Sequence, residues 1–391
     1  MNLPRSRRPL AFLLVLVLIF LPGVAVVATL GANQLGYCVN AILPGGDSLN
    51  ARPYLLQVGS DSATLRLRST VSAEAILTYG PEGGSETTTT LPASKLQTTE
   101  LSDLRPGTTY TYTVTRGEHT WDGAFRTSSG VDDTVQFDVL GSSGVANDVQ
   151  HAIAAEMVAD APDFVLHTGD VVYPRGALCH YGLRYFGPYE DLIGNSPVAP
   201  AVGEIDLKAN NGKAFREAFE LPADPDQENP LYRSFDYGPV HVVILDSELY
   251  EHDDRAGIDA QRDWLTSDLQ AADLPWTVVV IHRPLYSSTK GAASDEIAQD
   301  LGPIFQDNGV DLVLSGHARN YERFQPDDGI TYVVSGGGGA GTQGFGANRT
   351  SVAAAEVHHF LSIEASPDAL SARVIDDHGT VIDTFTLTAS S

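Results

Sequence analysis

The chain has 391 residues, room for two or three domains at ~150 residues each, and its 42% hydrophobic and 19% charged content is that of a globular protein. With 24 basic against 50 acidic residues its net charge is -26, which excludes the basic face a nucleic-acid binder needs and disfavours adhesion to an anionic membrane surface. Its two cysteines, Cys38 and Cys179, exclude a disulfide framework and a cysteine zinc cluster.

In chain order, Arg5, Arg7 and Arg8 precede an uncharged apolar run from Pro9 to about Ala32. Residues 1–32 thus read either as a cleaved signal peptide or as a single membrane anchor, and either places the body outside the cytoplasm, secreted or anchored. Residues 33–50 read as a linker. From 51 to 129 the pattern is short alternating runs (Ser62–Arg68, Ala75–Tyr79, Thr109–Thr115, Ala124–Thr127) separated by Gly- and Pro-rich turns. That rhythm predicts an all-β sandwich domain. The Leu101–Tyr110 segment resembles a corner of a fibronectin type III module.

From 134 to 391 strand-length apolar runs alternate with helical patterns near Asn147–Asp160, Asp259–Ala271 and Ser294–Gln306, and strands return after Phe360. Strand–helix alternation predicts an α/β domain with a mainly parallel sheet. Sites in such sheets form beyond the carboxyl ends of the strands. Five polar clusters follow apolar runs: Gly141-Ser142, Gly169-Asp170-Val171-Val172-Tyr173, Gly203-Glu204-Ile205-Asp206, His282, and Gly316-His317-Ala318-Arg319. Asp170, His282 and His317 offer oxygen and nitrogen donors for a metal ion.

The order and spacing of these clusters resemble the calcineurin-like metallophosphoesterases, in their purple acid phosphatase-like branch, whose motifs are GDxG, GDxxY, GNH[DE], VxxxH and GHxH. The likeness extends from Arg52-Pro53-Tyr54-Leu55 to the terminal strands and includes Tyr185-Phe186-Gly187-Pro188-Tyr189 and Asn320-Tyr321-Glu322-Arg323. It implies an αββα sandwich behind a fibronectin-like domain, a phosphate-ester substrate and two metal ions that clamp the phosphate.

The sequence departs from that pattern at four ligand or proton-transfer positions. Ser142 replaces the GDxG aspartate, Glu204 and Ile205 replace the GNH asparagine and histidine, and Arg319 replaces the second GHxH histidine. One family site keeps only Asp170 and Tyr173. The other keeps Asp170, His282 and His317, with Glu204 offering a carboxylate for the lost amide. The resemblance therefore implies one divalent or trivalent ion (Zn, Fe or Mn), with a second doubtful and Arg319 binding phosphate. Asp138 lies four strand residues before Ser142, about 13 Å away, and does not replace its carboxylate.

Two functions follow as expectations: metal-dependent hydrolysis of phosphate monoesters at a reduced single-metal site, or a catalytically inactive pseudophosphatase that binds phosphate or a partner. Tyr173 reads equally as a ligand or a buried tyrosine, and Glu204 as a ligand or a salt-bridge partner of Arg319. The glycine run Gly336–Gly341 reads as a flexible turn near the site, and His167 as a support for Asp170. Asn348-Arg349-Thr350 fits a glycosylation sequon.

Overall fold

The structure, a computed structural model, describes residues 51–220, 231–347 and 350–389. The apolar N-terminal run, the linker, Cys38 and the first two residues of the sequon lie outside the described residues. Cys179 takes part in a disulfide. No described helix is long and apolar enough to cross a membrane.

Five strands come first: β1 (Ala51–Val58), β2 (Ala63–Pro81), β3 (Thr87–Leu101), β4 (Thr109–Arg116) and β5 (His119–Arg126). The two runs expected at Ser62–Arg68 and Ala75–Tyr79 are one long strand. β2 bends between Arg68 and Ala73, pairing with β1 before the bend and with β4 after it. This folds the sheet over a core of Leu65, Leu77, Leu101, Tyr110, Val114 and Phe125, consistent with a sandwich. β3 had no apolar signature because most of its side chains face water. Its run of threonines favours a strand by β-branching instead. The sheet is tied to the rest of the molecule by Tyr54 Oη donating to the Ala218 carbonyl, Tyr112 Oη donating to the Gly194 carbonyl, and the Arg68–Glu217 ion pair.

The remaining strands are β6 (Val135–Leu140), β7 (Phe164–His167), β8 (Val198–Pro200), β9 (Arg233–Tyr237), β10 (Val240–Ile244), β11 (Trp276–Ile281), β12 (Leu312–Ser315), β13 (Tyr321–Phe324), β14 (Thr331–Ser335), β15 (Ala353–Ala355), β16 (His359–Ala365), β17 (Ala369–Asp376) and β18 (Val381–Thr388). They form two sheets, ordered β15-β13-β14-β12-β11-β10-β9 and β18-β17-β16-β6-β7-β8. The sequence pattern foresaw one mainly parallel sheet, and the family resemblance two. The structure has two mixed sheets, parallel along β10-β11-β12-β14 and along β6-β7-β8.

Side chains from both sheets meet in a dry layer that includes Phe137, Val139, Leu166, Val242, Val278, Leu314 and Leu361. Each such side chain contributes ~1.5–3 kcal/mol of burial. Helix α1 (Asp148–Asp160) covers the outer face of one sheet, and α2 (Arg255–Ala271) and α3 (Asp295–Asp307) that of the other. This makes the αββα order that the family resemblance implied. The helix starts are legible in the sequence. Asn147 accepts from the Gln150 N–H to cap α1, and Ser294 accepts from the Ile297 N–H to cap α3.

Candidate functional site

Each of the five polar clusters begins where a parallel strand ends. Ser142 follows β6, Asp170 follows β7, Glu204 follows β8, His282 follows β11 and His317 follows β12. Ser142, Asp170 and His317 all hold left-handed backbones, with φ of 54°, 58° and 62°. Such strain costs on the order of 1–3 kcal/mol per residue and concentrates at functional sites. Gly169 has φ +94°, and a Cβ there would lie 2.5 Å from His282 Nδ1. Only glycine lets the β7 loop approach the histidine this closely.

His282 is fully buried. Its Nδ1 lies 2.7 Å from the Thr168 carbonyl, which can only accept, so Nδ1 carries the proton. Its Nε2 is then a bare lone pair, buried and without a hydrogen-bond partner. That atom lies 3.5 Å from Asp170 Oδ1. Asp170 is itself held from two sides. The Ile205 N–H donates to Oδ1 at 2.8 Å, and Tyr173 Oη donates to Oδ2 at 2.9 Å. Burial and the Asp170 charge push the Tyr173 phenol well up, so it stays a donor.

Asp206, which follows Glu204 and Ile205, accepts from the Val171 and Gly203 N–H groups and locks the two loops together. His167 sits beneath, its Nδ1 accepting from the Gly169 N–H at 3.1 Å and its Nε2 within 3.0 Å of Ser143 Oγ. Burial, then the nearby His282, push it down to about 3, so it is a neutral strut.

The other expected ligands are engaged differently. Glu204 is half exposed, and Lys208 (2.5 Å) and Arg283 (3.6 Å) hold its carboxylate. The hydrogen bond from Lys208 outweighs partial burial and keeps that carboxyl low. The Glu204–Arg319 salt bridge is thus absent: Arg319 makes no ion pair among the described residues. Its backbone is clamped to Gln343, and its side-chain Nε is buried without a partner. Ser142 Oγ is also buried and unpaired. The glycine run after β14 is not a loose turn. Gly338 and Ala340 donate their N–H groups to the carbonyls of Gly141 and Ser142, pinning that loop.

His317 stands beside His282, ring centroids 5.3 Å apart and nearly perpendicular. Its Nε2 faces Arg283 Nη1 at 3.4 Å. Burial pushes the imidazole down to about 4, so it is neutral. The sequence reading passed over Arg283, although it directly follows His282. Its guanidinium is ringed by Glu248 (3.2 Å), Glu251 (3.3 Å) and Glu204. Glu248 and Glu251 carried no motif signal; they reach the site from the segment after β10.

Residues 138–321 match the Calcineurin-like phosphoesterase family. The chain carries a calcineurin-like phosphoesterase domain. Among similar proteins is one named "Probable inactive purple acid phosphatase 1" from Arabidopsis thaliana, 27% identical over 64% of this chain and 50% of its own. Another is "Acid phosphatase type 7" of Mus musculus, 27% identical over 58% of this chain and 56% of its own. The chain thus spans about half the length of these curated relatives. A purple acid phosphatase from yellow lupin seeds shares the fold, with a TM-score of 0.75 at 23% identity over 87% of this chain and 74% of that one.

The family binds a dinuclear metal centre. In this phosphoesterase domain Asp170 and His282 fit that chemistry, with a carboxylate and a bare buried nitrogen side by side. Glu204 and His317, as held, do not. Among the described residues no group of three or more His, Cys, Asp or Glu side chains converges to hold a metal ion.

Proposed function

We propose that this chain is an exported phosphate-monoester hydrolase whose dinuclear centre is reduced to one weakly held metal ion, with a fibronectin-like domain at 51–129 ahead of the phosphoesterase domain at 134–391. The observation that carries the reading is the uneven survival of ligands. Asp170 and the unpartnered Nε2 of His282 face each other at 3.5 Å, while Ser142, Ile205 and Arg319 occupy positions where the family has metal ligands and a proton donor. A metal ion there, when bound, supplies Lewis acidity to the phosphoryl group. Tyr173 and the Ile205 N–H orient Asp170. Arg319, its Nε unpaired, pairs with a phosphoryl oxygen through charge-assisted hydrogen bonds. Ile205 cannot pass a proton to the leaving group, a loss of ~10²–10⁴ in rate.

The second reading is a pseudophosphatase that binds phosphate esters without turnover. It is favoured by the absence, among the described residues, of any three converging ligands. Elemental analysis paired with hydrolysis of p-nitrophenyl phosphate tests both. The first reading expects at most one transition-metal ion per chain after dialysis and metal-dependent turnover at least ~10²-fold below that of a relative with the full ligand set. Phosphate binding with no turnover at any metal concentration selects the second. Two retained metals per chain would refute the reduced centre.

A further inference from the structure

His282 and His317 are adjacent but wired in opposite senses. A metal-binding imidazole usually donates its other ring N–H to a carbonyl or carboxylate, which leaves the ligating nitrogen bare. His282 has this arrangement, with the Thr168 carbonyl as acceptor. The partner of His317 Nε2 is a guanidinium, which has only N–H groups to offer. His317 Nε2 must therefore accept, and the ring proton of the neutral imidazole sits on Nδ1. Neither nitrogen then has a lone pair free for a metal.

Arg283 cannot easily leave. Its Nε faces Glu248, which is 2% exposed, its Nη1 faces Glu251, and its backbone N–H donates to Ser247 Oγ. The same guanidinium approaches Glu204 through Nη2. Three carboxylates and an imidazole thus surround one fixed organic cation.

We propose that Arg283 is a metal-excluding positioning residue: it fixes His317 as the Nδ1–H tautomer, draws Glu204 toward itself, and so leaves Asp170 and His282 as the only prepared ligands among the described residues. The inference rests on the reduced-centre reading and supplies its cause. It makes low metal occupancy a property of one side chain, beyond the ligands already replaced.

The test uses the full chain and the variant Arg283→Gln, whose side-chain carbonyl can accept from His317 Nε2–H. Side-chain ¹⁵N NMR reads the tautomer, and titration calorimetry with Zn²⁺ alone or Mn²⁺ alone reads affinity. The parent is expected to show His317 with its proton on Nδ1. The variant is expected to move it to Nε2 and bind Zn²⁺ ~10–100-fold more tightly, the range typical of such outer-shell partners. His282 should keep its Nδ1 proton in both. Because the single change strands the buried Glu248, Arg283→Gln with Glu248→Gln carries the same readouts if the single variant does not fold. A parent His317 already protonated on Nε2, or a folded variant whose Zn²⁺ affinity is unchanged or weaker, overturns the proposal. A variant that gains metal but no turnover upholds it while removing the hydrolase reading.

Discussion

Gly203 offers a steric test of how tightly the Asp170–His282 pair is built. A Cβ there would lie 2.5 Å from both the backbone N and Oδ1 of Asp170, and 2.9 Å from His282 Cε1. Its φ of -118° suits any residue, so the whole penalty of Gly203→Ala is crowding. None of the crowded atoms is the end of a flexible side chain. One is backbone, one is a carboxylate fixed by Tyr173 and Ile205, and one belongs to a ring fixed by Thr168. Overpacking of this kind costs ~1–3 kcal/mol. Gly130→Ala is the control, since nothing lies within 4 Å of its Cβ and its φ is not left-handed. It should be neutral or gain ~0.4–1 kcal/mol through the unfolded chain. Urea unfolding measures both, and phosphate binding by calorimetry should weaken in Gly203→Ala alone. A Gly203→Ala protein within ~0.5 kcal/mol of the parent, with phosphate binding intact, would refute the claim that this pair is rigidly packed.

Three further outcomes are expected. His241 lies between Asp236 (2.7 Å) and Asp268 (3.0 Å). Burial opposes its charge, but the hydrogen bonds to both carboxylates prevail and push it up to about 9. This clamp is complete below about pH 6.5 and is lost as pH rises through about 9, a fall of ~1–2 kcal/mol after allowing for the mostly exposed Asp236. Stability that stays flat across that window in the parent, or slopes equally in His241→Gln, contradicts it. Asp138 is buried with neither carboxyl oxygen hydrogen-bonded, and burial, then Asp160, push its carboxyl well up. Stability from this group is full below about pH 4 and declines as pH rises through the raised value, so Asp138→Asn should gain on the parent with increasing pH; parallel melting curves would show otherwise. Finally, purified protein supplied with ferric iron should be colourless, because Ser142 and Arg319 leave Tyr173 without fellow ligands on its side of Asp170. A visible charge-transfer band that Tyr173→Phe removes would show that iron binds there.

The sequence made the architecture legible wherever burial wrote a period into it. β7, β11 and β12 are almost wholly apolar runs because both faces are covered; β7 ends on His167, β12 on Ser315, and β11 on Ile281 immediately before His282. α1 and α3 announce themselves through Asn147 and Ser294. β3 stayed invisible because a strand with mostly exposed faces has no hydrophobic period. The bend in β2 stayed invisible because it depends on pairing with two different partners.

The same division holds at the site. By itself the sequence determined which residue types stand at the strand ends: Asp170, His282 and His317 kept, Ser142, Ile205 and Arg319 changed. Those are facts of covalent order. Only the tertiary structure decided what each group can do, because that depends on the neighbour each polar atom meets. The Thr168 carbonyl holds the His282 proton on Nδ1 and leaves Nε2 a bare lone pair, whereas Arg283 occupies the Nε2 lone pair of His317. Lys208 and Arg283 hold Glu204 where the sequence left it equally free to bind a metal or Arg319. Hydrogen-bond direction is set by which atoms the fold brings close together, across 114 residues of chain for Thr168 and His282 and across 34 for Arg283 and His317.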